Sequence, residues 1–479
     1  MKNTLLYFLG YISIFIGISL LLPAWVSYLY SEPYTSSFIA LGLGAAIIGA
    51  LMRYFFKKDE SLNFKTVILA VVFSWIFAVI IGSLPYLITG TVKSPVDAFF
   101  ESMSGFTTTG ATILPEITSL PYSILFWRSL THWMGGMGII LMVIAILPSF
   151  GQGMYLFQAE VSGGSINKKI SPRIRKTAVL LWAIYIFLTV SEIGILMLAG
   201  LNLYDSSIHT FGTVATGGFS SKNESIGFYD NIYVHYIIIL FMFLSGVNFI
   251  LYCRFVLGER KVFFKNTELK FYSITILIFT VIIAFSLYEK VYPGLEETIR
   301  HSLFQVTSII TTTGYITADF DAWPNLAKML LFVAMFIGGC AGSTGGSIKP
   351  IRIYVSLKSA IMEIFRTLHP AAVKNIYIDK EPLSIEIIRK ITRFFIAYIL
   401  IFAMGSVALS FFNLDMVSAM SAAAATLGNV GPGLGLAGAI EPYTLFHPAA
   451  KLILSALMLI GRLEIFSIML LFSRAFWRE

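Results

Sequence analysis

Charge is what this 479-residue chain has least of: Asp, Glu, Lys and Arg together make up only 13% of it. That scarcity excludes an ordinary water-soluble domain, whose surface needs about twice that share. Cysteine is almost missing as well. Cys253 and Cys340 are far apart, each in or beside an apolar run, so no disulfide framework or thiolate metal site can be argued from them. The six histidines never fall at metal-ligand spacing, and His132, His209 and His301 read as hydrogen-bonded structural residues. No nucleophile–base pair, metal motif or cofactor fingerprint supports an enzyme. The glycine-rich stretch at 338–347 lacks the GK[ST] ending of a phosphate-binding loop.

Apolar residues fill the space that charge leaves. They make up 57% of the chain, and the mean hydropathy is +0.81. Apolar runs of about 20 residues recur, the length a helix needs to cross about 30 Å of hydrocarbon. The expected spans are 5–30, 37–56, 65–89, 121–148, 177–200, 232–257, 271–289, 324–347, 386–412 and 447–474. The first follows one basic residue without a small-residue cleavage site, so it reads as a retained helix and not a removed signal. Segments 53–65, 168–176, 254–270 and 349–393, with Lys2, Arg474 and Arg478, hold 26 of the 34 Lys and Arg residues. Counting crossings puts all of them on one side, which the positive-inside rule makes the cytoplasm, with both termini inside. The pI of 9.2 therefore follows from topology and implies no nucleic-acid partner. The bilayer is the expected surrounding.

Between the third and fourth spans lies GFTTTGAT, residues 105–112, too broken and too polar to cross. Related stretches recur between later spans: DAFFESMSGFTTTGAT, DSSIHTFGTVATGGFS, RHSLFQVTSIITTTGY and DMVSAMSAAAATLGNVG. Aligned on Gly110, Gly217, Gly314 and Gly428, they divide the chain after residue 60 into four repeats of about a hundred residues. Asp97, Asp205 and Asp415 precede three of those glycines by 12 or 13 positions and are expected to cap short helices; the third repeat carries Glu296 and Glu297 farther upstream. Irregular backbone at membrane depth survives only where it is buried in protein or lines a wet cavity. Four such turns around one axis supply that cavity for each other. The fold class expected is an all-α polytopic membrane protein. Its four pseudo-symmetric helix–pore-helix–filter–helix repeats surround one central pore and follow an N-terminal transmembrane helix pair.

A monovalent cation crossing a membrane must exchange its water shell for oxygens, and a ring of backbone carbonyls provides them without trapping charge. Glycine permits the positive φ that aims successive carbonyls at one axis. Each short helix points its negative C-terminal end the same way. Any single turn also reads as an ordinary Gly/Thr loop; four at matched positions favour the filter. The turns contain no Asp or Glu, which argues against a divalent site.

Two further features stand out. GGCAGSTGGS interrupts the eighth span with five glycines at Gly338, Gly339, Gly342, Gly345 and Gly346, and with Ser343 and Thr344. It reads either as an early helix end or as an intramembrane loop that obstructs the pore and moves. Arg462 lies within the last span, where a charge is expensive and usually functional. Glu464, two residues on, does not share its helix face, so either another helix pairs with the arginine or its charge faces the pore.

These segments, with GGCAGSTGGSIK at 338–349 and GRLEIF at 461–466, resemble the TrkH/KtrB/HKT superfamily of potassium transporters. The extra N-terminal helix pair resembles its TrkH branch, and the resemblance covers essentially the whole chain. It implies channel-like K⁺ uptake across the cytoplasmic (inner) membrane, a homodimer with one pore per protomer, and a cytoplasmic nucleotide-binding regulatory subunit of the TrkA type. No cofactor is implied on this chain; K⁺ is the transported ion, and any nucleotide belongs to the partner. The longest connection, 349–382, is too short to be a nucleotide-binding domain. Carried over, the filter would be Thr108, Thr109, Gly110 and Ala111; Ala215, Thr216 and Gly217; Thr312, Thr313 and Gly314; and Leu427, Gly428, Asn429 and Val430. In the family, glycine at the aligned position of all four repeats is the potassium-selective pattern, and here the first is Gly110. The 338–347 stretch would be the gating loop and Arg462 an electrostatic barrier beneath the filter. The expected divisions are 1–60 for the helix pair, then 61–165, 166–262, 263–378 and 379–479 for the four repeats. Two other transport classes stay open: a symporter of K⁺ or Na⁺ with protons, for which Glu192 is the main relay candidate, and the ion-conducting subunit of a pumping ATPase.

Overall fold

The computed structural model describes residues 2–57, 64–138, 174–370, 375–379 and 381–478. The basic cluster at 168–173, the inner end of the fourth expected span and the divisions at 60/61 and 165/166 lie outside them. Helices α1 (Lys2–Ser19) and α2 (Leu21–Leu29) run together as one span and pack against α3 (Thr35–Phe55). Glycines seven apart on each side set how closely they meet. A methyl group on Gly17 would lie 2.5 Å from the Gly42 carbonyl oxygen, and one on Gly49 would lie 2.5 Å from that of Gly10. Where lipid offers no hydrophobic drive between helices, such small-residue contact is what holds them. Ser13 adds a hydrogen bond to the Ala45 carbonyl at 2.6 Å.

Four similar units follow. The first is α4 (Phe64–Ile88), short α5 (Pro95–Phe106) and α6 (Tyr122–Gly136). The second is α7 (Ile174–Leu198), short α8 (Leu203–Val214), α9 (Ile232–Ser245) and α10 (Phe249–Val256), followed by α11 (Val262–Lys265). The third is α12 (Thr267–Leu287), short α13 (Leu295–Ile310), α14 (Asn325–Ala334) and, after a non-helical stretch, α15 (Pro350–Leu368). The fourth is α16 (Ile385–Ser410), short α17 (Met416–Leu427), α18 (Pro448–Arg462), α19 (Phe466–Met469) and α20 (Arg474–Trp477). The described strands are β1 (Tyr377–Ile378) and β2 (Glu381–Pro382), a small antiparallel hairpin pairing Tyr377 with Pro382. In α4, 72% of the apolar stretch is buried, against 28% in α12 and α16, so α4 lies inside and the other two face lipid.

Ten spans were expected, the eighth interrupted by its glycine-rich stretch at 338–347. Among the described residues, six helices are long and apolar enough to cross, and two more spans are made of bent pairs. The expected span 232–257 bends by 86° between α9 and α10, and 447–474 bends by 112° after α18. The eighth expected span is helical only over the ten residues of α14. Hydropathy misses the two bends because the residues on both sides are equally apolar, whereas the break in the eighth span follows its glycines as expected. Close packing forces them: a methyl group on Gly461 would lie 2.0 Å from the Leu427 carbonyl oxygen at the end of α17. The second helix of the unit thus abuts the tip of its short helix and cannot run straight on.

Capping also differs from expectation. Asp415 does cap α17, accepting from Val417 N at 3.1 Å and Ser418 N at 3.2 Å. For α5 the cap is Ser94 and for α8 it is Asn202, three residues earlier than the aspartates. Asp97 instead pairs with Lys451 at 2.7 Å. Asp205 accepts from Asn202 Nδ2 and Ser221 Oγ, both at 2.9 Å. In those two helices the acid sits in the first turn, where it still complements the helix dipole.

Candidate ion pathway

Each short helix ends in the same backbone manoeuvre. One residue takes left-handed φ: Thr108 at 54°, Thr216 at 55°, Thr312 at 60° and Asn429 at 55°. Two positions later a glycine does the same: Gly110 at 84°, Gly218 at 80°, Gly314 at 79° and Gly431 at 100°. The residue between them donates its N–H to the carbonyl five positions back. Those bonds are Thr109 to Ser104 (2.9 Å), Gly217 to Gly212 (2.8 Å), Thr313 to Ser308 (2.8 Å) and Val430 to Ala425 (2.7 Å).

This geometry corrects the sequence register in two repeats. Gly218, not Gly217, is equivalent to Gly110, and so is Gly431, not Gly428. Gly428 is the C-cap of α17 with φ −78°, and Leu427 is the last residue of that helix. Ala215, likewise, is the C-cap of α8. Matching glycine to glycine failed because the turn is defined by its hydrogen bond to the helix, and repeats 2 and 4 each carry an additional glycine near it.

With that register the four turns close on themselves. A methyl group on Gly110 would lie 2.2 Å from Gly217 O, one on Gly218 2.0 Å from Thr313 O, one on Gly314 2.2 Å from Val430 O, and one on Gly431 2.6 Å from Thr109 O. Each glycine abuts the carbonyl of the next turn, in the order first, second, third, fourth, first. Only glycine fits there, on grounds of both φ and space.

The stretch 338–347 lies directly against this ring. Gly346 N donates to Thr312 Oγ1 at 2.7 Å, and a methyl group on Gly346 would lie 2.4 Å from Gly428 O. Thr344 Oγ1 donates to Val214 O at 3.2 Å and Ser245 O at 3.3 Å. The loop also plugs the break between α9 and α10: Cys340 N donates to Gly246 O at 2.8 Å, and Phe249 N to Gly342 O at 3.0 Å. Gly338 N closes its base on Ile348 O at 2.9 Å. Gly339 and Gly345 face each other across the loop, where a methyl group on Gly345 would lie 3.1 Å from the Gly339 Cα. Ser343 Oγ turns back onto Cys340 O at 2.6 Å.

Arg462, at the end of α18, joins the loop to the ring. Its Nη1 donates to Thr344 O at 2.9 Å and to Thr108 Oγ1 at 3.2 Å. Nη2 donates to Gly136 O at 2.9 Å and to Gly135 O, carbonyls at the C-terminal end of α6. Glu464 pairs with Arg352 at 2.6 Å. Gly342, Ser343, Lys349 and Arg462 help line a cavity of about 80 Å³ below the loop.

Sequence reasoning missed Glu268 and Lys349. One carboxylate oxygen of Glu268, in α12, accepts from Ala341 N at 2.8 Å and Ile351 N at 3.3 Å, so a single side chain ties down both legs of the loop. Lys349 Nζ donates to Gly345 O. The sequence carried no local signal for either: Glu268 stands between Lys265 and Lys270 at the start of a span, Lys349 opens a basic segment, and only the fold buries them. The histidines make structural bonds: His132 Nδ1 to Gly105 O (2.7 Å), His209 Nε2 to Ser220 Oγ (2.9 Å) and His301 Nδ1 to Thr317 Oγ1 (2.9 Å). Glu192 is wholly buried in α7. In the connection between α5 and α6, hydrogen bonds from Thr118 and then Asn223 hold the exposed Glu116 carboxyl below its ordinary range, so it stays ionised there.

A polytopic helical membrane protein whose re-entrant turns close a ring above an intramembrane loop is an ion-transport architecture. Residues 35–478 match the TrkH family, described as a cation transport protein, and the chain belongs to that family. It is 38% identical over 477 residues to the Trk system potassium uptake protein TrkH of Escherichia coli (strain K12), covering 98% of each chain. With the protein of that name from Halomonas elongata it shares 40% identity over 484 residues, covering 99% of each. The crystal structure of the potassium transporter TrkH from Vibrio parahaemolyticus superposes over 100% of both chains, with a TM-score of 0.90 and 34% identity.

Proposed function

We propose that this chain is a channel-like potassium uptake subunit of the cytoplasmic membrane, and the closed ring of four glycine-tipped turns is the observation that carries it. Backbone carbonyls of 108–110, 216–218, 312–314 and 429–431 replace the water of a K⁺ ion. The ring is only pseudo-symmetric, with Asn429 at the level of Thr108, Thr216 and Thr312. The loop 338–347 is the gate, shown here engaged with Thr312 and Arg462, and Arg462 places a positive charge on the path. Both termini and the basic loops lie in the cytoplasm, and the repeats divide near 60, 165, 262 and 378. The chain carries no enzymatic activity of its own.

Tracer uptake into proteoliposomes of the purified chain at a set potential tests this reading. Rb⁺ is expected to enter far faster than Na⁺, and equal rates would overturn it. Repeating the assay with and without a pH gradient separates a channel from a proton symporter using Glu192; a channel follows the potential alone. Opening and closing are proposed to be imposed by a nucleotide-binding cytoplasmic partner of the TrkA type. Assembly as a dimer is supported by an exposed apolar stripe on α15, formed by Leu357, Ile361, Ile364 and Leu368.

Glu268 gives a test of the gate separate from the pore. Hydrogen bonds contribute about 0.5–1.5 kcal/mol each, so Glu268→Ala, which loses two, is expected to loosen the loop and raise basal Rb⁺ uptake about tenfold. Glu268→Gln retains a side-chain acceptor and should lie between. Basal uptake unchanged in Glu268→Ala would show that the loop does not limit flow.

A further inference from the structure

Behind the ring, each pair of neighbouring turns is joined by a different device. The second and third are joined by Tyr315, whose hydroxyl reaches His209 O (2.9 Å) and Phe219 O (3.2 Å). The third and fourth are joined by Asp321, which accepts from Gly435 N at 3.0 Å. The fourth and first are joined by Tyr443, whose N–H reaches Thr112 O (2.8 Å) and whose hydroxyl reaches Gly431 O (3.0 Å). At the seam between the first and second turns stands a buried ion pair.

Glu101, on α5, and Arg128, on α6, are 0% and 1% exposed, and Arg128 Nε meets Glu101 Oε1 at 2.8 Å. The Glu101 carboxylate also accepts from Thr112 Oγ1 (2.9 Å) and Ile113 N (2.9 Å). Arg128 extends its other nitrogens to both turns, Nη2 to Thr112 Oγ1 and Nη1 to Ser220 O, each at 3.2 Å. Its guanidinium lies 4.0 Å over the Phe219 ring. Thr112 and Ser220 occupy matched places, each two residues past its left-handed glycine. Glu101 lies seven residues before Thr108; the same offset in the other short helices gives His209, Gln305 and Ala422, so the charge is peculiar to this seam.

A buried ion pair is weak evidence for stability, since an apolar pair of similar volume often does as well. A guanidinium does supply a rigid planar fork with fixed donor spacing, which an ammonium lacks. We propose that Glu101 and Arg128 are positioning residues that fix the separation of the first and second turns and thereby the ion discrimination of the pore. The proposal rests on the reading of the turns as a filter. Where Gly110 meets Gly217 O, the fork holds the two turns from behind.

The test is the Rb⁺ to Na⁺ uptake ratio of the full-length chain in proteoliposomes, measured alongside thermal unfolding of the same preparations. Arg128→Lys keeps a cation beside Glu101, but one ammonium cannot bridge Thr112 and Ser220. The ratio is expected to fall about tenfold, mainly through faster Na⁺ entry, in protein that still unfolds cooperatively. A role confined to stability would lower the melting temperature and leave the ratio alone. Should Arg128→Lys fail to fold, Glu101→Asp carries the test, because the shortened carboxylate keeps the charge and withdraws from Ile113. Gly110→Ser is run in parallel. A ratio that falls in Gly110→Ser but not in folded Arg128→Lys or Glu101→Asp overturns the clamp and leaves the filter standing. A ratio unmoved in Gly110→Ser overturns the filter reading, and the clamp with it.

Discussion

Basal Rb⁺ uptake through an Arg462→Ala chain is expected to exceed that of the unmodified chain by about thirtyfold or more. Two effects of that side chain act in the same direction. A cation passing about 8 Å from the guanidinium, at an effective dielectric constant of about 20, meets a repulsion of about 2 kcal/mol. That alone is worth about thirtyfold in rate. Alanine also removes the hydrogen bonds to Thr344 O and Thr108 Oγ1, which hold the intramembrane loop against the first turn. Arg462→Lys separates the two: it keeps the charge and loses the spread of donors that reaches Thr344, Thr108 and the end of α6 together. Lysine should therefore give a smaller increase, and that remainder measures the latch. Unchanged flux in Arg462→Ala would show that neither the charge nor the latch limits conduction.

Selectivity should respond most to the four left-handed glycines. At Gly110, φ is 84° and a Cβ would lie 2.2 Å from Gly217 O, so Gly110→Ser cannot be accommodated without moving a carbonyl of the neighbouring turn. A side chain in a sparsely populated backbone region costs about 1–3 kcal/mol, and relief of that strain redirects the ligands themselves. The Rb⁺ to Na⁺ ratio is expected to drop about tenfold or more. Gly431→Ser should behave alike, since its φ is 100° and its Cβ would meet Thr109 O at 2.6 Å. Gly428→Ala should do much less. Its φ of −78° suits any residue, so a methyl group there brings no backbone strain and has only to push back Ala424 O and Met335 O, which would stand 2.9 and 3.0 Å away. Equal damage at 428 and 431 would contradict the register found for the fourth turn.

That register shows where reading the chain reached its limit. Four polar turns at intervals of about a hundred residues were legible, because a Thr/Gly cluster between apolar runs has few other uses at membrane depth. Which glycine carries the turn was not, because Gly217 and Gly218 are adjacent and identical in type, and only the folded turn gives Gly218 the left-handed φ. Aspartates near the helix starts were visible, yet Asp97 and Asp205 sit one turn inside and Ser94 and Asn202 do the capping. Arg462 stood out as a charge in an apolar run. Its partners Gly135, Gly136, Thr344 and Thr108 had no local signal, since all lie more than a hundred positions away. Glu268 was passed over because it begins a span and resembles an ordinary helix-start acid.

Hydropathy and charge order are properties of the chain read in one dimension. They were enough to decide that the surroundings are lipid and that one pattern recurs four times. Hydration of charge and apolar surface depends on residue type, whatever the neighbours. The breaks in the apolar runs, the pairing of each glycine with the next turn's carbonyl, and the grip of Arg462 on loop and ring depend on neighbours brought from distant repeats. Contacts of 2–3 Å between segments more than a hundred residues apart exist only once the four units have packed.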